Sequence, residues 1–145
     1  MADYDFAKIE KKLSKYLDED RFQHTMGVMY TSACLAMVHG YDIKDAQVSG
    51  LLHDCAKCIP NKKKLKMCSE HNIPVSDFER SHPFLLHSRL GAYIAHEKYG
   101  IDDQEILSAI NYHTTGRREM SLLEKIIYIA DSVSYTHLTL PTIRL

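Results

Sequence analysis

The run from Asp20 to about His39 constrains the fold most, because it is apolar on more than one side. Phe22, Met26, Met29 and Ala33 form one stripe, while Val28, Leu35 and Val38 lie on others. A helix without a wholly polar face belongs in the middle of a bundle. Gly40 ends it, and Asp20 reads as its N-cap. The flanking segments read as helices too. Asp5–Asp18 carries Phe6, Ile9, Leu13 and Leu17 on one stripe, and Asp42 to about Lys57 carries Val48, Leu51, Leu52 and Cys55. Lys62–Glu70 is a short basic helix between Pro60 and Pro74, and Phe84–Tyr99 closes on Gly100. Asp102 with Glu105, and Ser121 with Glu124, have the capping-box spacing that opens two more helices, the last running through Asp131. No strand alternation appears before Val133. The predicted class is all-α.

A length of 145 residues with 45% hydrophobic and 26% charged side chains fits one globular domain with a core of its own. No apolar run approaches the roughly 20 residues of a membrane helix. A net charge of −1 gives no basic excess for non-specific nucleic-acid binding. The first residues hold early acids and no apolar stretch of the signal-peptide kind. With four cysteines and no such signal, reduced thiols in a cytoplasm are expected.

Nine histidines are the unusual count. His53 and Asp54 are adjacent in LLHDCAK, inside the third predicted helix, so their side chains diverge by about 100°. They converge on one ion only if it sits against the helix face and other helices complete its shell. His24, from the buried second helix, and Asp131, from the last, are the candidates. Ala46, Ser49 and Gly50 lie on the His53 face and leave room for an approaching group. Imidazole with carboxylate suits iron, manganese or zinc. His113 continues the apolar stripe of Ala109 and Ile110, and His87 shares a side with Leu90, Gly91 and Ile94. A ring on a buried stripe needs a partner. Two readings stay open: His87 and His113 complete a second metal site, or they contact phosphate while one ion is held by His24, His53, Asp54 and Asp131.

The words RFQHTMGV, SGLLHDCAK, HPFLLHSRLGAYIA and especially NYHTTGRREMSLLEKIIYIAD resemble the YqeK family of HD-domain metal-dependent phosphohydrolases, over residues 20–131. The resemblance implies a helical HD-domain bundle and symmetrical hydrolysis of diadenosine tetraphosphate to two ADP, with iron as the native metal. Phosphoanhydride hydrolysis requires an activated water and charge neutralisation more than a protein nucleophile. Asp54 is expected to ligate metal and orient the attacking hydroxide, with His87 or His113 assisting proton transfer or binding the leaving phosphate. Thr114, Thr115, Gly116 and Arg117 offer hydroxyls, backbone N–H groups and a guanidinium to phosphates, and Lys57 and Arg21 are further candidates. Manganese is an alternative metal. The expected partners are nucleotides, with no specific nucleic acid and no membrane; oligomeric state is not legible.

The expected division is residues 1–19 as an N-terminal helix, 20–131 as the HD-type domain and 132–145 as an atypical tail. From SYTHLTLPTIRL onward helical periodicity is lost, so a foreign, truncated end is expected and His137 receives no role. Cys55 and Cys58 lack a second cysteine pair and read as structural. Lys62, Lys63, Lys64 and Lys66 read as a solvated face able to attract a polyanion. Two other functions fit the same residues: an HD-type nucleotidase or pyrophosphohydrolase on other nucleotides, and a catalytically inert nucleotide-binding module.

Overall fold

The structure, a computed structural model, describes residues 3–139, with side chains placed through residue 134. Eight helices follow in order: α1 (Phe6–Leu13), α2 (Glu19–His39), α3 (Ile43–Leu52), α4 (Asn61–Glu70), α5 (Asp77–Ser81), α6 (Leu86–Tyr99), α7 (Gln104–Asn111) and α8 (Leu122–Thr139). A single 3-10 turn, Pro83–Leu85, leads into α6. No strand occurs among the described residues, and none of their helices is long and apolar enough to cross a membrane. The all-α expectation is met.

Helix α2 lies against α3 and α8, α7 packs on α3, α6 and α8, and α4 rests on α6. Leu51, Leu52, Leu86, Leu90, Ile106, Ile110, Leu123 and Ile127 fill the space between them and are fully buried. Gly40 and Gly100 close α2 and α6 at φ +69°, a left-handed conformation glycine adopts without steric cost.

Several boundaries differ from those expected. α1 stops at Leu13 and not Asp18; a separate turn, with Leu17 N–H donating to the Leu13 carbonyl at 3.0 Å, buries Leu17. α2 is capped by Asp18 and not Asp20, because the Asp18 carboxylate accepts the Arg21 N–H at 2.8 Å. Asp20 instead sits in the first turn beside Glu19, where the helix dipole favours negative charge. Asp103, not Asp102, caps α7, accepting from Glu105 N–H at 2.8 Å. Ser121 caps α8 as expected, but that helix continues past Asp131 to Thr139. The rest of the expected atypical tail, 140–145, lies outside the described residues, as does the His137 side chain. A capping box at Ser76 and Glu79 opens the unforeseen α5, and its Ser-x-x-Glu signal was present in the sequence.

The most consequential difference is at α3. It ends at Leu52, so His53 and Asp54 are not inside a helix. The chain continues as successive turns, with Cys55 N–H on the Leu52 carbonyl at 3.1 Å and Lys57 N–H on the Asp54 carbonyl at 2.9 Å. His53 keeps helical torsions at φ −57° and ψ −36°, and both it and Asp54 are buried.

α3 reaches α2 closely through Gly50. A Cβ there would lie 2.9 Å from Ser32 Oγ, 3.0 Å from Met29 Cα and 3.1 Å from the Val28 carbonyl, two of them backbone atoms that cannot give way cheaply. Gly27 on α2, by contrast, has its nearest outside atom at 3.9 Å. Gly50→Ala is therefore expected to destabilise the fold by about 1–3 kcal/mol through overpacking. Gly27→Ala should be neutral or stabilising by up to about 1 kcal/mol, through helix propensity. Thermal melting of the two variants side by side checks the contrast.

Candidate metal centre

Six side chains from five segments meet at the inner end of α3. His24 comes from α2, His53 and Asp54 from the exit of α3, His87 from α6, His113 from just beyond α7, and Asp131 from α8. All but Asp131 are buried, Asp54 to 2% exposure. Every one was a candidate from sequence.

The orientation of three rings has a common origin. His53 Nδ1–H donates to the Gly50 carbonyl at 2.6 Å, His87 Nδ1–H to Phe84 at 2.6 Å, and His113 Nδ1–H to Ile110 at 2.7 Å. Each bond runs to the carbonyl three residues earlier at the end or the start of a helix. With Nδ1 so engaged, Nε2 is the atom each ring presents to the centre. These tautomers follow from the hydrogen-bond partners.

Asp54 divides the centre in two. Its Oδ2 faces His53 Nε2 at 3.2 Å and His24 Nε2 at 4.0 Å, while its Oδ1 faces His113 Nε2 at 3.2 Å and His87 Nε2 at 3.4 Å. Asp131 Oδ1 joins the first group, 2.8 Å from His24 Nε2 and 3.5 Å from His53 Nε2. The ligand-type atoms of His24, His53, Asp54 and Asp131 all lie within 4.8 Å of one another, and so do those of Asp54, His87 and His113. Ligands of a single ion at bond lengths near 2.0–2.2 Å fit within such a span.

The donor set fits a divalent cation. His53 Nε2 is fully buried and forms no hydrogen bond of good geometry. His87 Nε2 and His113 Nε2 point at each other across 3.2 Å although both rings have their Nδ1–H on carbonyls. Neutral rings in those tautomers oppose two lone pairs, an arrangement that a shared cation relieves. Imidazole nitrogen with carboxylate oxygen is the chemistry of iron, manganese and zinc sites, and the carbonyl acceptors behind the rings are the usual outer shell of a metal histidine.

The electrostatics agree. Burial alone would raise the Asp54 carboxyl, but His53, His113 and His87 overcome it and hold it well below the ordinary carboxylate range. Asp131 is likewise held down against its burial by bonds from His24 and His53. Burial pulls His53 down, yet Asp54 and Asp131 prevail and push it up to about 10. Burial dominates at His87, which is lowered.

The other candidates fall into two sets. Arg21 reaches the centre, with Nη1 3.0 Å from Asp54 Oδ2. Thr114 reaches it as well, with Oγ1 3.4 Å from His87 Nε2 and 2.5 Å from Ser88 Oγ. Ser88, buried on α6, had no signal in the sequence beyond lying next to His87. Arg117 is committed elsewhere: it holds Glu124, 1% exposed, through two bonds of 2.9 and 2.5 Å, and its guanidinium lies 4.4 Å from the Tyr112 ring centre. Thr115 is exposed and bonds the Gly116 carbonyl, Gly116 turns the loop at φ +65°, and Lys57 is half-buried three residues after Asp54.

Comparison with known proteins gives concordant results. The HD domain model matches residues 21–136. A "Bis(5'-nucleosyl)-tetraphosphatase, symmetrical" from Halalkalibacterium halodurans is 42% identical over 118 residues, 81% of this chain and 63% of the relative. The Bacillus subtilis protein of the same name is 39% identical over 121 residues, 83% of this chain and 64% of the relative. The chain thus spans just under two thirds of the length of these relatives. A crystal structure from Clostridium acetobutylicum, titled a "predicted HD superfamily hydrolase involved in NAD metabolism", superposes with a TM-score of 0.87 at 41% identity, over 92% of this chain and 70% of that one.

Two outcomes are expected. A cation can use His53 Nε2 only after displacing its proton, and with His53 pushed up to about 10 that proton is present at neutral pH. Titrating Mn²⁺ into the chelated protein with a pH indicator should release protons, and affinity should rise about tenfold per pH unit for the one proton displaced. Arg117→Ala should lower the melting temperature by leaving the Glu124 carboxylate buried and unpaired, while metal content stays at the wild-type level.

Proposed function

The chain belongs to the HD domain family, and from that membership we propose that it is a metal-dependent hydrolase cleaving dinucleoside tetraphosphates symmetrically, diadenosine tetraphosphate to two ADP. The observation that carries the reading is the Asp54 carboxylate, whose two oxygens face two separate sets of histidine and aspartate donors. The relatives from H. halodurans and B. subtilis, both named for this activity, support the choice of substrate. Two cations, iron or manganese, are part of the proposal, because Asp54, His87 and His113 form a second donor set beside that of His24, His53, Asp54 and Asp131. A cytoplasmic location belongs to the same reading and is supported by four free thiols.

Divalent cations in such a centre neutralise phosphate oxygens and acidify water. The remaining work falls to the chain. Asp54 fixes the spacing of the two donor sets and, being held ionised, accepts hydrogen bonds on either oxygen. Arg21, anchored on Asp54 Oδ2 at 3.0 Å and partly solvent-exposed, is placed to contact the bridging phosphates. The Thr114 hydroxyl, 3.4 Å from His87 Nε2, is placed to bond a phosphate oxygen or to pass a proton to the leaving ADP. Thr115, Gly116 and Lys57 extend the phosphate-binding rim in this proposal; Arg117 acts through Glu124 to hold the loop that carries Thr114 and Thr115.

The test is product analysis. Incubated with Mn²⁺ or anaerobic Fe²⁺, the protein should convert diadenosine tetraphosphate to ADP alone. AMP with ATP would mean asymmetrical cleavage, and turnover confined to other nucleotides would mean a nucleotidase or pyrophosphohydrolase; either defeats the proposal. His53→Ala and Asp54→Ala should each lose turnover and bound metal together, by at least about a hundredfold in rate.

A further inference from the structure

A cleft of about 650 Å³ lies beside the centre and includes none of the six donors. That volume is in the range of small-molecule sites. Part of its wall adjoins two of the donor histidines in the chain: Ser88 follows His87, and Asn111 and Thr115 lie two residues either side of His113. Ser88 is 4% exposed, and its hydroxyl shares a 2.5 Å bond with that of Thr114, which in turn lies 3.4 Å from His87 Nε2. A chain of two hydroxyls thus links the cleft to the second donor set.

The rest of the wall comes from α5 and the residues before it, and Arg89 on α6 fastens it. The Arg89 guanidinium donates to the Pro74 carbonyl and meets both Glu79 oxygens at 3.1 and 3.2 Å. The capping box of Ser76 and Glu79 fixes the same segment. The cleft is therefore preformed, and its guanidinium and carboxylate neutralise each other, so it offers no net charge to a phosphate. It offers rings and an amide instead. Phe78 is 64% exposed, with its ring stacked on that of His82 at 4.3 Å, and Tyr112 adds a second aromatic side chain. The Asn111 carboxamide, at the end of α7, makes no hydrogen bond among the described residues. A carboxamide holds a donor beside an acceptor, which is the complement of N6 and N7 of adenine. Exposed aromatic rings are the usual stacking platform for a base.

We propose that this cleft is a nucleoside subsite, in which Phe78 stacks on an adenine base and Asn111 pairs with its N6 and N7, while the attached phosphates run past Ser88 and Thr114 to the centre. The choice of adenine rests on the hydrolase reading. Asn111 and Phe78 become residues that select the substrate and take no part in the bond cleavage.

Calorimetric titration of AMP, and of ribose 5-phosphate as the same ligand without its base, into the chelated full chain tests the subsite. Phe78→Ala and Asn111→Ala are measured alongside wild type. Wild type should bind AMP at least about tenfold more tightly than ribose 5-phosphate, and each substitution should weaken AMP about tenfold while leaving ribose 5-phosphate within about twofold. Phe78→Ala should melt with wild type, because its ring is largely exposed, so a loss of AMP binding there is not a loss of fold. With metal and diadenosine tetraphosphate, both variants should raise KM about tenfold and leave kcat within about twofold. Equal binding of the two ligands by wild type, no binding of AMP, or undiminished AMP binding by either variant overturns the subsite. Weakened AMP binding with unchanged KM overturns the substrate assignment. If AMP binding depends on both residues while wild type never turns over the dinucleotide, the hydrolase reading falls and the nucleoside subsite stands.

Discussion

A carboxylate at 2% exposure stays ionised only if its surroundings repay the water it has lost, and Asp54 is such a group. Four imidazoles and the Arg21 guanidinium lie within 4.0 Å of its oxygens. These partners come from α2, the α3 exit, α6 and the end of α7, so the charge at Asp54 can be satisfied only when those elements are docked together. Asp131 adds α8 through His24 and His53. The assembly of the bundle and the formation of the centre are therefore one event. Separating any one helix leaves a buried charge with fewer counter-charges.

Much of this was legible in the chain. Every helix but α5 was visible from an apolar stripe or a boundary signal. The six donors were visible as polar residues on apolar stripes or as an adjacent histidine–aspartate pair. What escaped was the geometry that depends on distant parts of the chain. Periodicity carried the third helix on to Lys57, but nothing local says that a ring at His53 will take the Gly50 carbonyl and the helix will stop at Leu52. The cap of α2 was read at Asp20, whereas it is the Asp18 carboxylate that accepts the Arg21 N–H.

Charged residues were harder still. Arg117 was read from sequence as a phosphate contact and Lys64 as part of a solvated face. Arg117 proves to hold a buried carboxylate seven residues later in the chain, a pairing that composition cannot foretell. Lys64 proves to be buried with only a long bond to Asn61. For side chains with long stems, the direction taken is set by tertiary packing, and a one-dimensional pattern holds little of it.

The groups that aim His53, His87 and His113 are peptide oxygens of Gly50, Phe84 and Ile110. Every amino acid brings such an oxygen, so replacing a side chain at any of those positions leaves the aim intact as long as the main chain stays put. The controls on proton placement are thereby hidden from substitution. A scan of side-chain truncations would pass over the atoms that decide which nitrogen faces inward.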